Sequence, residues 1–93
     1  MIRSFRDKET ANLFLRNPRV KFAQSLQRAA LRKLVLLHAA QSLEDLRELP
    51  GNRLEKFAGD RKGQYNMRVN DQWRVCFRWE ADGAHDVEIV DYH

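Results

Sequence analysis

Apolar residues recur every three or four positions in the first half of the chain and every second position through much of the second half. The two periods mark helix and strand. Phe22, Leu26, Ala30, Leu34, Leu37 and Ala40 make a continuous helical stripe, widened by Leu31, Val35 and Ala39. Lys21, Gln24, Arg28 and Arg32 are left for water. The spacing predicts a long helix from about Pro18 to Gln41, with Asn17-Pro18 suited to its cap and first position. Ahead of it, Asp7 suits the cap of a shorter helix carrying Ala11, Phe14 and Leu15 inward, with Glu9 in the first turn. Behind it, Ser42 with Asp45 predicts a fresh cap and a short turn through Leu46, ended by Pro50-Gly51. Ile2 to Phe5 reads as a short first strand.

Past Pro50-Gly51 the pattern changes. Asn52 to Phe57 reads as a strand in which Leu54 and Phe57 break the alternation, as a bulge would. Ala58 to Gly63 is a basic turn. Two strands then flank the tight connection Asn70-Asp71-Gln72. In the second of them Trp73, Val75, Phe77 and Trp79 point one way, and Arg74, Cys76 and Arg78 the other. Asp82-Gly83 sits at the centre of a hairpin turn, Val87 to Val90 makes the last strand, and Asp91-Tyr92-His93 follows. These elements predict an α+β fold, with two N-terminal helices packed on one face of a small antiparallel sheet.

Bulk properties narrow this picture. At 93 residues the chain is expected to be one domain, residues 1–93. Its 43% hydrophobic and 32% charged content is that of a globular rather than a disordered protein. A net charge of +4 points to an acidic partner. No apolar run approaches the roughly 20 residues of a membrane span, and the opening residues lack the apolar core of a signal peptide. The single cysteine, Cys76, excludes an internal disulfide and fits a reducing compartment, so a cytoplasmic protein is expected.

Candidate chemistry concentrates on one face of the sheet. His38, His85 and His93 lie far apart, with no cysteine pair or His-Glu-x-x-His spacing, so no metal site is expected. The glycines do not form a nucleotide-binding loop, and no cofactor is expected. Cys76 reads as a small strand residue that lets its neighbours approach. Arg68, Arg74 and Arg78 form a cluster fixed by strands whose other face is apolar. A guanidinium suits phosphate because its planar fork makes two parallel charge-assisted bonds and stays charged. Lys56, Arg61 and Lys62 extend the positive surface along the neighbouring turn. At the end of the chain, Asp91, Tyr92 and His93 bring a carboxylate, a phenol and an imidazole together. Tyr92 leaves the strand on the arginine side, and a histidine is a natural proton carrier at neutral pH.

Four stretches resemble a known family: Asn52-Arg53-Leu54, Gly59-Asp60-Arg61-x-Gly63, Arg68-Val69-Asn70-Asp71-Gln72-Trp73-Arg74, and Val87-Glu88-Ile89-Val90-Asp91-Tyr92-His93. With the opening Met1-Ile2-Arg3-Ser4-Phe5, they resemble HigB-type toxins of the RelE/ParE superfamily, the plasmid maintenance system killer proteins of type II toxin–antitoxin systems. The resemblance implies a compact ribonuclease fold and metal-independent cleavage of mRNA on the translating ribosome. It also implies a HigA-like helix-turn-helix antitoxin that binds operator DNA together with the toxin.

By position, Asp91, Tyr92 and His93 match the family's terminal catalytic segment. Arg74 matches the arginine that follows the motif's tryptophan, which assigns it to the scissile phosphate, and Arg68 joins it on strand geometry. His93 is then the acid or base, with Tyr92 positioning or stacking on a base and Asp91 orienting its neighbours. Some relatives carry a histidine where this chain has Glu55-Lys56, so Glu55 becomes a candidate base. Two other readings stay open. One is a ParE-like inhibitor that acts on DNA gyrase without cutting RNA; the other is a basic RNA-binding module without activity, whose affinity would fall steeply with salt.

Overall fold

The computed structural model describes residues 1–57 and 63–91. Three α-helices come first: α1 (Lys8–Phe14), α2 (Gln24–Ala39) and α3 (Leu43–Arg47). A 3-10 turn (Pro50–Asn52) leads into a sheet of β1 (Glu55–Lys56), β2 (Gln64–Arg68), β3 (Trp73–Glu80) and β4 (Gly83–Asp91). The strands follow one another across the sheet in chain order, each antiparallel to the next. The N-terminal segment runs parallel to β4, through bridges Ile2↔Ala84 and Phe5↔Val87 rather than as a continuous strand. The fold is α+β, with the helices packed on one face of the sheet.

Capping fixes the helix ends. Asp7 accepts the Thr10 N–H at 3.2 Å and the Thr10 hydroxyl at 2.7 Å. That hydroxyl, wholly buried, in turn accepts the Ile89 N–H at 3.1 Å, so the cap of α1 is tied to β4. Ser42 and Asp45 form a reciprocal capping box on α3, as their spacing predicts. The far end of α1 departs from expectation. Asn17 N–H reaches Asn12 O and Arg16 N–H reaches Leu13 O, a Schellman closure with Arg16 at φ 58° in the position glycine favours. That closure turns Leu15 outward, 71% exposed, and buries Leu13 in the place expected for Leu15.

Helix α2 begins at Gln24, not Pro18. Asn17 Oδ1 accepts the Arg19 N–H, Glu9 accepts the Lys21 N–H, and Phe22 packs edge-on against Trp73 at 6.1 Å. The segment is therefore drawn across to the sheet before the helix starts. From there the predicted stripe holds: Leu26, Ala30, Leu34 and Leu37 are buried against Met67, Val75, Phe77, Val87 and Ile89. Val35 and Ala39, expected to widen it, face water.

The sheet shows two further differences. Only Glu55–Lys56 of the stretch 52–57 is strand, because the 3-10 turn occupies its start and Arg53 follows at φ 43°, in the left-handed region. Strand β4 begins at Gly83 rather than Val87, which places His85 in a strand and not in the turn. A bulge opposite Phe77 explains why this stretch does not alternate. The register runs Cys76↔Glu88 and then Arg78↔His85, with Asp86 at φ 52° in the extra space. Ala84 and Val87, three residues apart, thereby both reach the core.

Candidate functional site

Pairing places Arg68 directly opposite Arg74. Side chains so paired share a face at roughly 5 Å between Cβ atoms, where like charges repel unless anions intervene. Two carboxylates do. Asp71 in the adjoining turn pairs with Arg68, and Glu55 Oε1 lies 3.4 Å from Arg74 Nη2. Arg74 also donates from Nη1 to the Arg53 carbonyl at 3.1 Å, and its side chain is only 12% exposed. The Asp71 side chain is 99% exposed and that of Glu55 52%. The Arg68–Asp71 pair, with a fully exposed carboxylate, is of the kind that contributes little net stability.

The turn between β2 and β3 is built rather than loose. Asn70 Oδ1 accepts the N–H groups of Gln72 at 2.9 Å and Trp73 at 2.8 Å, which fixes the backbone carrying Asp71. Gln72 Nε2 then donates to Asp91 Oδ2 at 3.0 Å. Asp91 lies opposite Trp73, on the next rung to Arg74↔Val90. The end of β4 is thus tied to the same corner of the sheet as Arg68, Arg74 and Glu55. On the rung behind them Glu55 opposes Asn66 and Asn66 opposes Cys76. Asn66 and Cys76 are both buried, and Asn66 Oδ1 has no hydrogen-bond partner among the described residues.

The candidates divide accordingly. Arg68, Arg74, Glu55 and Asp91 meet at one corner. Arg78 is four residues along β3, roughly 13 Å away at strand rise, and pairs with Glu80 at 3.0 Å and Asp86 at 3.4 Å. Lys56 is exposed on the rung of Tyr65 and Phe77, with the opposite parity to the arginines. Arg61, Lys62, Tyr92 and His93 lie outside the described residues. Sequence reasoning missed the Arg53 carbonyl, Gln72 and Asn66. Of these only Gln72, in a polar turn beside the terminal segment, carried any local signal.

Other features lie apart from this corner. Among the described residues no three His, Cys, Asp or Glu side chains come close enough to hold a metal. No helix among the described residues is long and apolar enough to cross a membrane. A groove of about 330 Å³, lined by Leu13, Arg16, Val20, Arg28 and Leu31 among others, lies on the helical layer and shares no residue with the corner. His85 Nε2 lies 2.6 Å from Asp82, and this contact, ahead of the charges of His85 and Arg3, holds the Asp82 carboxyl below its ordinary value.

A four-stranded antiparallel meander backed by N-terminal helices is consistent with the fold of a RelE-like toxin. The chain belongs to the HigB family: the family model for the RelE-like toxin of type II toxin–antitoxin system HigB matches residues 3–93. It is 45% identical over 69 residues to Toxin HigB-1 of Vibrio cholerae serotype O1, covering 74% of this chain and 72% of that protein. It is also 33% identical over 69 residues to an uncharacterized protein of Haemophilus influenzae, covering 74% and 68%. As a toxin of a type II system, it has an antitoxin partner.

Proposed function

We propose that this toxin is a ribosome-dependent mRNA endonuclease acting from the corner formed by Arg74, Arg68, Glu55 and the terminal segment. The observation that carries this reading is Arg74. Its guanidinium is nearly buried, oriented by the Arg53 carbonyl and Glu55, and faced by a second arginine. Such an arrangement presents fixed positive charge where a phosphate gains negative charge in the transition state.

The chemistry needs no external nucleophile. A base removes the proton from the ribose 2′-OH, whose oxygen attacks the adjacent phosphorus. The P–O5′ bond breaks, an acid protonates the departing oxygen, and the products are a 2′,3′-cyclic phosphate and a 5′-OH. Arg74 neutralises the phosphate with support from Arg68. Glu55 and His93 supply base and acid, Tyr92 positions or stacks on a base, and Asp91, tied to Gln72, orients that segment. Lys56, Arg61, Lys62 and Arg78 contact the RNA backbone. The whole chain acts as one cytoplasmic domain, neutralised by a HigA-like helix-turn-helix antitoxin through which the pair binds operator DNA.

Induced expression of the wild type beside Arg74→Ala and His93→Ala, with growth scored and mRNA 5′ ends mapped, tests this. Growth arrest with new mRNA ends, lost in both variants, is the expected result. Arrest that persists in both with mRNA intact refutes the nuclease and directs attention to gyrase.

A further inference from the structure

The block Asn52-Arg53-Leu54 joins the helical layer to Arg74. Asn52 is wholly buried. Its Nδ2 donates to the Leu46 carbonyl in α3 at 3.0 Å, and its Oδ1 accepts from Lys33 Nζ on α2 at 2.6 Å. The side chain is thus held from two helices at once. The next residue, Arg53, adopts the left-handed conformation and offers its carbonyl to Arg74 Nη1. Two residues further, Glu55 meets Arg74 Nη2. These two contacts of Arg74 therefore come from one short segment. Strand β1 pairs two exposed residues with β2, and the Phe57 N–H adds a bond to the Gln64 carbonyl at 3.0 Å. The segment is anchored from behind by Asn52, beside Leu54, which packs against the core.

We propose that Lys33 and Asn52 are positioning residues of the site: their contact locks the segment 50–56 and so sets the Arg53 carbonyl and Glu55 against Arg74. The surroundings of Lys33 agree with a hydrogen-bonding role. Burial first, and then the nearby Arg32 and Arg68, hold its ammonium below the ordinary lysine value. The position disfavours charge, so what the lysine supplies is a donor of the right reach to an otherwise unmatched buried acceptor. The catalytic consequence rests on the nuclease reading above; the positioning itself does not.

The test uses antitoxin-free toxin with Lys33→Met, which keeps the stem and removes the donor, Lys33→Arg, which restores one, and Asn52→Ala. Asp7→Ala, at the cap of α1, is the destabilised control. Two signals are read: the Arg74 Nε–Hε NMR resonance, and cleavage in a translating extract resolved into rate and half-saturation. Lys33→Met is expected to move and broaden the Arg74 resonance and to slow cleavage roughly tenfold or more, as small misplacements do. Half-saturation should stay within about threefold, because the backbone contacts persist. Lys33→Arg recovers part of both signals, and Asp7→Ala disturbs neither. An Arg74 resonance unchanged in Lys33→Met, or moved equally by Asp7→Ala, overturns the proposal. Should Asn52→Ala fail to fold, Lys33→Met decides alone. A resonance that moves as expected while even the wild type cuts no mRNA upholds the positioning and removes the nuclease reading.

Discussion

Replacing Gly83 by alanine tests how firmly the N-terminal segment is clamped to the sheet. Gly83 opens β4 at φ 130°, a region that is essentially glycine's alone. A Cβ built there would fall on the Met1 carbonyl oxygen, well inside van der Waals contact, and within 3.3 Å of the Met1 nitrogen. Both obstacles are backbone, so no side chain can swing aside. Backbone strain costs about 1–3 kcal/mol. The Met1 carbonyl also accepts the Ala84 N–H at 2.9 Å, and Arg3 N–H donates to Ala84 O at 2.7 Å. Displacing Met1 endangers both bonds, at about 1 kcal/mol each. The total is about 3–5 kcal/mol, a large part of the 5–15 kcal/mol typical of a domain.

Urea unfolding monitored by tryptophan fluorescence measures this directly, and the melting temperature should fall by at least about 12 °C for a chain of this size. Gly51→Ala is the matched control. Nothing lies within 4 Å of the point an alanine Cβ would occupy there and its φ is unexceptional, so it should be neutral or stabilise by up to about 1 kcal/mol. Amide exchange at Arg3 and Ala84 shows whether the strain is relieved by peeling the segment away. A Gly83→Ala protein within about 1 kcal/mol of wild type refutes the reasoning.

Other positions give sharp expectations. Arg16→Gly should raise stability by about 0.5–1 kcal/mol in thermal unfolding, since it relieves a left-handed arginine at a helix end. Arg74→Lys keeps the charge but loses the fork, and should slow cleavage in a translating extract roughly 10- to 100-fold, the worth of one charged hydrogen bond. Lys33 has a pKa lowered in the folded state, so the folded chain releases that proton first as pH rises. Wild-type stability should therefore gain on Lys33→Met as pH rises toward the ordinary lysine value, in paired denaturant titrations. Asp82, whose pKa is also lowered, acts in the same sense in the acid range: its contribution is present above the ordinary carboxyl value and lost as pH falls through the folded one. Asp82→Asn should accordingly flatten the acid limb of the stability profile.

How much of this was legible depended on the range of the interaction. Asp7, Ser42 and Asp45 act within four residues of themselves, and their caps were readable. The α2 stripe and the alternation of β3 were readable because one face of each is buried. The start of α2 was not, since Phe22 leaves for Trp73, a contact across 51 residues. Leu15 misled because a left-handed arginine, invisible to periodicity, closes α1 early. The early part of β4 hid behind the bulge at Asp86, which resets the alternation halfway along. At the candidate site, strand parity put Arg68 and Arg74 on one face, but it grouped Arg78 with them, and Arg78 lies four residues along β3. The Lys33–Asn52 contact, between a helix and a turn 19 residues on, had no signature that sequence could show.

Glu55 poses the sharpest question at the site, because one carboxylate could serve two ends. It could take the proton from the 2′-OH, or it could act only as the counter-ion that keeps Arg74 oriented until phosphate arrives. Glu55→Gln separates these. The amide keeps an oxygen for Arg74 Nη2 while the net charge rises from +4 to +5. A non-cleavable 2′-deoxy analogue should bind more tightly in either case, since the guanidinium no longer has to exchange an ionic partner. Cleavage then divides the two. A base lost costs roughly 10²- to 10⁴-fold in single-turnover rate, whereas a counter-ion lost leaves the rate equal or higher. The Arg74 Nε–Hε resonance of the same variant shows whether slower cleavage comes from a displaced Arg74. Binding and cleavage both indifferent to Glu55→Gln would place the phosphate elsewhere, and the assignment of Arg74 would fall with it.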